Sequence, residues 1–202
     1  MQDACNIITR NQRRFAMKSL LAVCLVFLSC LMFAVDLPSL KNETDWSLRF
    51  PVKRHQSYKI VEYSKSEGTA AELTVQPEIF QYAELLLKTP VAVAETAEDF
   101  HGTIGIRLKA DNVGGFVAVS ARFEDEAGEI RQFRKVVKLR PGRFETILIP
   151  AGKDVRPDRV WGNRNRTITG PVKFIGLKFD CNPLVKNLKL TMDNLNWETT
   201  KQ

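Results

Sequence analysis

TIGIRLKA at residues 103–110, FVAVSARF at 116–123, IRQFRKVVKL at 130–139 and RFETILIP at 143–150 follow one another inside the stretch 100–150. Their reading decides the fold. In the first, Ile104, Ile106 and Leu108 alternate with Arg107 and Lys109. Successive side chains of an extended chain leave opposite faces, so alternation of period two over runs of this length predicts half-buried strands. The connections agree. Asp111-Asn112-Val113-Gly114-Gly115, Asp125-Glu126-Ala127-Gly128 and Arg140-Pro141-Gly142 separate the runs; glycine there supplies positive φ and proline presets φ for a turn. The expectation is an antiparallel meander of four strands, wet on one face and covered on the other by a second sheet.

Working outward, WSLRF (46–50), SYKIVEY (57–63) and AELTV (71–75) are further strand candidates, as is VAVAE (91–95). IFQYAELLL (79–87) fits a strand or a short helix, and its neighbours favour the strand. After the meander, residues 151–170 are mostly polar without sustained periodicity, a length of loop that in compact domains is often functional. VKFIGLKF (172–179) and LKLTMDNLNW (188–197) close the pattern. About nine or ten short strands with turn signals every 8–12 residues, and no amphipathic helix, predict an all-β fold. An antiparallel β-sandwich of jelly-roll type suits this spacing.

Ahead of the strands, residues 20–35 form an almost unbroken apolar run preceded by Arg10, Arg13, Arg14 and Lys18. A basic region followed by an apolar core reads as a secretory signal, here with Met17 as a start and cleavage after Ala34. The run is shorter than the ~20 residues a membrane span needs, so an uncleaved anchor is the second reading, and the membrane is met only through residues 20–35. Arg13-Arg14 is a weak twin-arginine signal. Cys30 lacks the small residues before it and the polar ones after it that a lipoprotein needs. The division expected is 1–35 signal segment, 36–45 lead-in and 46–198 sandwich, in a protein exported to the periplasm or the extracellular space. Without residues 1–35 the basic residues fall from 30 to 26 and the acidic from 23 to 22, so the net charge falls from +7 to +4. That mild charge, with no basic stripe, argues against nucleic acid. Cys181 alone remains of the four cysteines, so no intrachain disulfide is expected.

The segment FHGTIGIRLKADNVGGFVAVSARFEDEAGE, the later TGPVKFIGLKF and the closing LKLTMDNLNW resemble the galactose-binding-like jelly rolls, which occur as carbohydrate-binding modules beside bacterial glycan-degrading enzymes. The resemblance covers roughly residues 46–197. It implies a saccharide ligand and no required cofactor. It also implies a structural calcium ion held by an acidic residue of the last strand, which Asp193 matches, with Glu43 or Asp45 as first-strand partners. Calcium takes six to eight oxygens, and the bland reading of Asp193 is a solvated or turn-capping carboxylate.

The best candidate for ligand contact is Trp161 with Asn163, Arg164 and Arg166 after it and Asp158 before it. Sugars present an apolar C–H face that an indole can cover, and a rim of hydroxyls, or a uronate carboxylate, that amides and guanidinium forks can bond. The plain alternative is that Trp161 pins a long loop to the sandwich. Trp46 and Trp197 are expected in the core edge. Catalysis finds no motif: there is no nucleophile elbow, no Cys–His pair and no H-E-x-x-H, and two histidines are too few for a histidine metal site. Jelly-roll polysaccharide lyases resemble the fold but carry a Gln-x-His strand that is absent here. The sequence thus predicts a binding protein for a poly- or oligosaccharide, neutral or acidic. Its alternative is an envelope assembly protein contacting another protein through the sandwich.

Overall fold

A computed structural model describes residues 34–49, 57–62, 69–75, 82–110, 115–162, 167–181 and 188–200, all within the unit Ala34–Gln202. The expected signal segment lies outside them up to residue 33. The elements are β1 (Ala34–Val35), a 3-10 turn (Glu43–Asp45), β2 (Trp46–Arg49), β3 (Ser57–Glu62), β4 (Thr69–Val75), β5 (Tyr82–Ala94), β6 (His101–Ala110), β7 (Gly115–Glu124), β8 (Ile130–Leu139), β9 (Glu145–Gly152), β10 (Arg159–Trp161), β11 (Val172–Cys181) and β12 (Leu188–Thr199). The all-β reading holds, and the strands form two antiparallel sheets.

The first sheet runs β3-β4-β12-β6-β9, with β1 also on β12; the second runs β10-β8-β7-β11-β5-β2. The four strands expected to form one meander are therefore shared between the sheets. β6 lies between β12 and β9, whereas β7 lies between β8 and β11. Alternation specifies which side chains point inward but not which sheet a strand joins, and the links from β6 to β7 and from β8 to β9 cross between layers. This crossing is what makes the sandwich a jelly roll rather than a stack of hairpins.

The inward positions are those the pattern marks. Ile104, Ile106 and Leu108 on β6, Val119 and Ala121 on β7, and Ile147 and Ile149 on β9 are buried, while Thr146 and Leu148 between them are exposed. At the centre Phe123 meets Phe100, Phe133, Phe174 and Trp197 at ring-centroid distances of 5.0, 5.8, 5.6 and 5.4 Å. Aromatic pairs in such tilted and edge-on arrangements contribute about 0.5–1.5 kcal/mol beyond the burial of their area. Trp197 is wholly buried, and Trp46 nearly so.

Three boundaries differ from expectation. Residues 82–94 form one strand, not two, because β11 pairs Phe174 with Val91 and then Gly176 with Leu86. The intervening bulge takes Pro90, which cannot donate to a ladder, out of register. The lead-in is also part of the domain. Leu37 and Leu40 are buried in the core, and the Trp46 indole donates to the Ser39 carbonyl at 3.1 Å. The long polar segment is shorter than its sequence suggests, since β9 reaches Gly152 and β10 adds an edge strand along β8.

Candidate functional site

Strand alternation turns a row of polar and aromatic side chains onto the outer face of the second sheet. Tyr82 and Glu84 flank the buried Ala83 on β5. Arg122 sits between the buried Ala121 and Phe123 on β7, and Lys178 between Leu177 and Phe179 on β11. Trp161 on β10 stands opposite Ile130 on β8. From β10 to β5 the row crosses about 19 Å, at ~4.8 Å for each strand step.

Arg122 organises it. Its Nε donates to Gln132 Oε1 at 3.1 Å, its Nη2 donates to Glu84 Oε1 at 2.8 Å, and its guanidinium lies 5.0 Å from the centroid of the Trp161 ring. Between Arg122 and Glu84 runs β11, whose residue in register with Arg122 is Gly176. Gly176 has φ +147, and a Cβ there would fall 2.3 Å from the Leu85 carbonyl oxygen, so the close approach of β11 to β5 needs glycine. Farther along, Lys178 donates to Asp180 Oδ1 at 2.5 Å and lies 4.6 Å from the Tyr82 centroid. A groove of about 390 Å³ runs between Trp161 and Tyr82 over these groups. Its rings offer apolar surface, and its guanidinium, carboxylates and ammonium are held by one another in fixed positions. A ligand with apolar faces edged by hydroxyls matches both.

Of the residues expected to bind, Trp161 is half-buried and lines this groove. Asp158 does not. Its Oδ2 accepts from Gln132 Nε2 at 3.0 Å and its N–H donates to the Gln132 carbonyl at 2.8 Å, so it fastens the approach to β10 onto β8. Asn163, Arg164 and Arg166 lie outside the described residues. Tyr82, Glu84, Arg122 and Lys178 were missed because each sits on a strand, where an outward polar residue looks like ordinary solvated surface. The signal that could have found them is that all occupy outward positions, with an aromatic at either end.

Asp193 has an ammonium beside it: Lys41 Nζ is 3.5 Å from Oδ1, and the same oxygen accepts the Asn194 N–H at 2.8 Å. Asp45 accepts from Asn42 Nδ2 at 2.7 Å within its own turn. Among the described residues no three acidic, histidine or cysteine groups converge. A larger recess of about 720 Å³, lined by Arg131, Lys153, Asp154, Arg156 and Val160, opens on the other side of β10. Its charges are largely matched in place. Arg131 is bonded to the buried Glu129, and Lys153 to Glu98, whose hydrogen bond holds the lysine above its usual pKa.

No protein-family profile matches this chain, and no curated protein does. Solved structures do match in fold. The family 11 carbohydrate-binding module of a Clostridium thermocellum cellulosomal cellulase aligns at TM-score 0.55 and 15% identity, over 83% of this chain and 95% of that one. The same family's module in complex with a β-1,3-1,4-mixed-linked tetrasaccharide aligns at 0.55 and 14%, over 82% and 94%. A xylan-binding family 22 domain from Paenibacillus barcinonensis aligns at 0.52 and 9%, over 85% and 97%. The chain therefore has the β-sandwich fold of carbohydrate-binding modules, as its sequence resemblance implied.

Proposed function

We propose that this is an exported, non-catalytic saccharide-binding protein that takes a glycan across the outer face of its second sheet. The observation that carries the reading is the row Trp161–Arg122–Glu84–Lys178–Tyr82, in which rings at both ends bracket a pre-fixed set of hydrogen-bonding groups. The fold shared with modules that bind tetrasaccharide and xylan supports the class of ligand. The apolar run at residues 20–35 supports export. Glycans several rings long would lie across the strands, stacking on Trp161 and Tyr82 while Arg122 and Glu84 bond their hydroxyls. Asparagine and arginine residues after Trp161 would extend the contact beyond β10.

The test is Trp161→Ala, followed by affinity electrophoresis through gels holding mixed-linked β-1,3-1,4-glucan, xylan or polygalacturonate. Retention by this face falls at least tenfold while melting shifts little. A Trp161→Ala chain that binds like the wild type but melts lower would make the indole an anchor only. Protein contact through the sandwich is the second reading. It is favoured by Phe116 and Val136, which are 55% and 54% exposed on the neighbouring strands β7 and β8. Pull-down of a single protein, with no retention on any glycan, would select it.

A further inference from the structure

We propose that the outer face of the first sheet carries a second saccharide-binding groove, which makes the protein a bridge between two polysaccharide chains. The proposal takes its ligand class from the reading of the Trp161 face, and its geometry from residues that face does not use.

Asn196 on β12, Gly105 on β6 and Leu148 on β9 lie side by side in register. With no side chain on the middle strand, the sheet surface there sinks into a groove of about 490 Å³. A Cβ on Gly105 would fall 2.2 Å from Asn196 Oδ1, so the amide leans over the glycine and the groove exists only because residue 105 is bare. One wall is apolar: Leu148, in the middle of β9, is 54% exposed.

The polar groups along the groove are of two kinds. Asn196 Nδ2 donates to Glu198 Oε1 at 2.8 Å, and its amide oxygen has no donor among the described residues. The Arg107 guanidinium lies over the Phe144 ring, its Cζ 4.6 Å from the centroid. Among the described residues it makes no hydrogen bond or ion pair, so its N–H groups are unspent. Positioned donors at one end, a carboxylate at the other and an amide oxygen between them match vicinal hydroxyls, which both donate and accept. Opposite charges at the two ends favour a neutral sugar, because a uronate near Glu198 would meet like charge.

The backbone is shaped at the same place. Between Asp193 and Asn196 the pairing of β12 with β6 slips, so that Asn194 and Leu195 together oppose Ile106. Asn194 takes φ +51. Bulges and left-handed non-glycine residues cost free energy and gather beside binding sites, where they re-aim side chains. Here the bulge is followed directly by Asn196. Since the inner faces of both sheets form the core, the two grooves open on opposite sides of the sandwich. One straight glycan cannot fill both.

The full chain, Leu148→Asp, Arg107→Gln, Trp161→Ala and the double variant Leu148→Asp/Trp161→Ala would be compared. The readouts are affinity electrophoresis in the same three polysaccharides, and light scattering from protein mixed with the soluble neutral glucan. Wild type should be retarded by a neutral glycan and should raise scattering as it links chains. Each single variant should lose the scattering and weaken retention roughly 100-fold, since avidity from a second linked site is of order 10² or more. The double variant should lose retention altogether. Unchanged scattering and retention in both Leu148→Asp and Arg107→Gln would overturn the second groove and leave the Trp161 face standing. Full loss in Trp161→Ala alone would do the same. A wild type retained by none of the polysaccharides would overturn both. Melting curves identify any variant that fails to fold, and Arg107→Gln, at a half-buried position outside the core, keeps the test open if Leu148→Asp does.

Discussion

Arg122 is the side chain on which the outer face of the second sheet depends, because it touches Gln132, Glu84 and the Trp161 ring at once. Arg122→Met should therefore act on two observables together. Glu84, 16% exposed, loses its partner, and leaving a charged group of that burial unpaired costs about 1–3 kcal/mol in a denaturant melt. Glycan retention should fall with it. Arg122→Lys keeps the charge but not the planar fork that meets two partners at fixed angles, so it should restore stability in part and retention hardly at all. A lysine variant that binds normally would mean the charge, not the fork, is what the site uses. Gly176→Ala is a sharper residue-level test: strain at φ +147 should lower stability by at least about 1–3 kcal/mol. Trp161 was visible in the sequence as a lone indole in a polar stretch. Arg122 was not, since an arginine in FVAVSARF is indistinguishable from any outward residue until β7 is known to lie two strands from β10.

At the scale of elements, the alternating runs gave strand positions to within a residue or two, and the glycine- and proline-bearing turns gave their ends. Partners were hidden, because pairing is decided by residues far apart in sequence. Leu190 on β12 finds Ala110 on one side and Leu73 on the other, and nothing local to LKLTMDNLNW says so. β10 was hidden for a different reason: three residues are too few to show a period. Its placement has a measurable consequence. Among the described residues β10 pairs in the ladder only with β8, at the edge of the sheet, while β7 and β11 are bonded on both sides. Amide hydrogens of Arg159–Trp161 should exchange through local opening, orders of magnitude faster than those of Val119 or Leu177, which need global unfolding. A saturating glycan should slow β10 selectively, since its binding rests on Trp161. Equal protection of β10 and β7 without ligand would mean that this edge is held by more than its ladder.

The whole molecule starts earlier than its strand pattern announces. Residues 36–45 contain proline and few apolar side chains, so they read as a lead-in to a sandwich beginning at Trp46. Yet Leu37 and Leu40 are buried at 9% and 3% exposure, Ser39 accepts from the Trp46 indole, and Val35 pairs with Trp197 at the other end of the chain. Two isolated leucines have no period to detect, which is why only the folded chain reveals them as core. Chains beginning at Ala34 and at Trp46 should therefore differ. Loss of two buried leucines costs about 3–6 kcal/mol, at 1.5–3 kcal/mol for each side chain removed from the core. In a domain of this size that lowers Tm by roughly 6–24 °C. The shorter chain also loses the cover over the outer face of β12 near Asp193, where Lys41 now sits. Its melting should approach that of the longer chain only if Leu37 and Leu40 contribute no core contact in solution. Calorimetry on the two chains decides it, and a coincident pair of melts would return the domain boundary to Trp46.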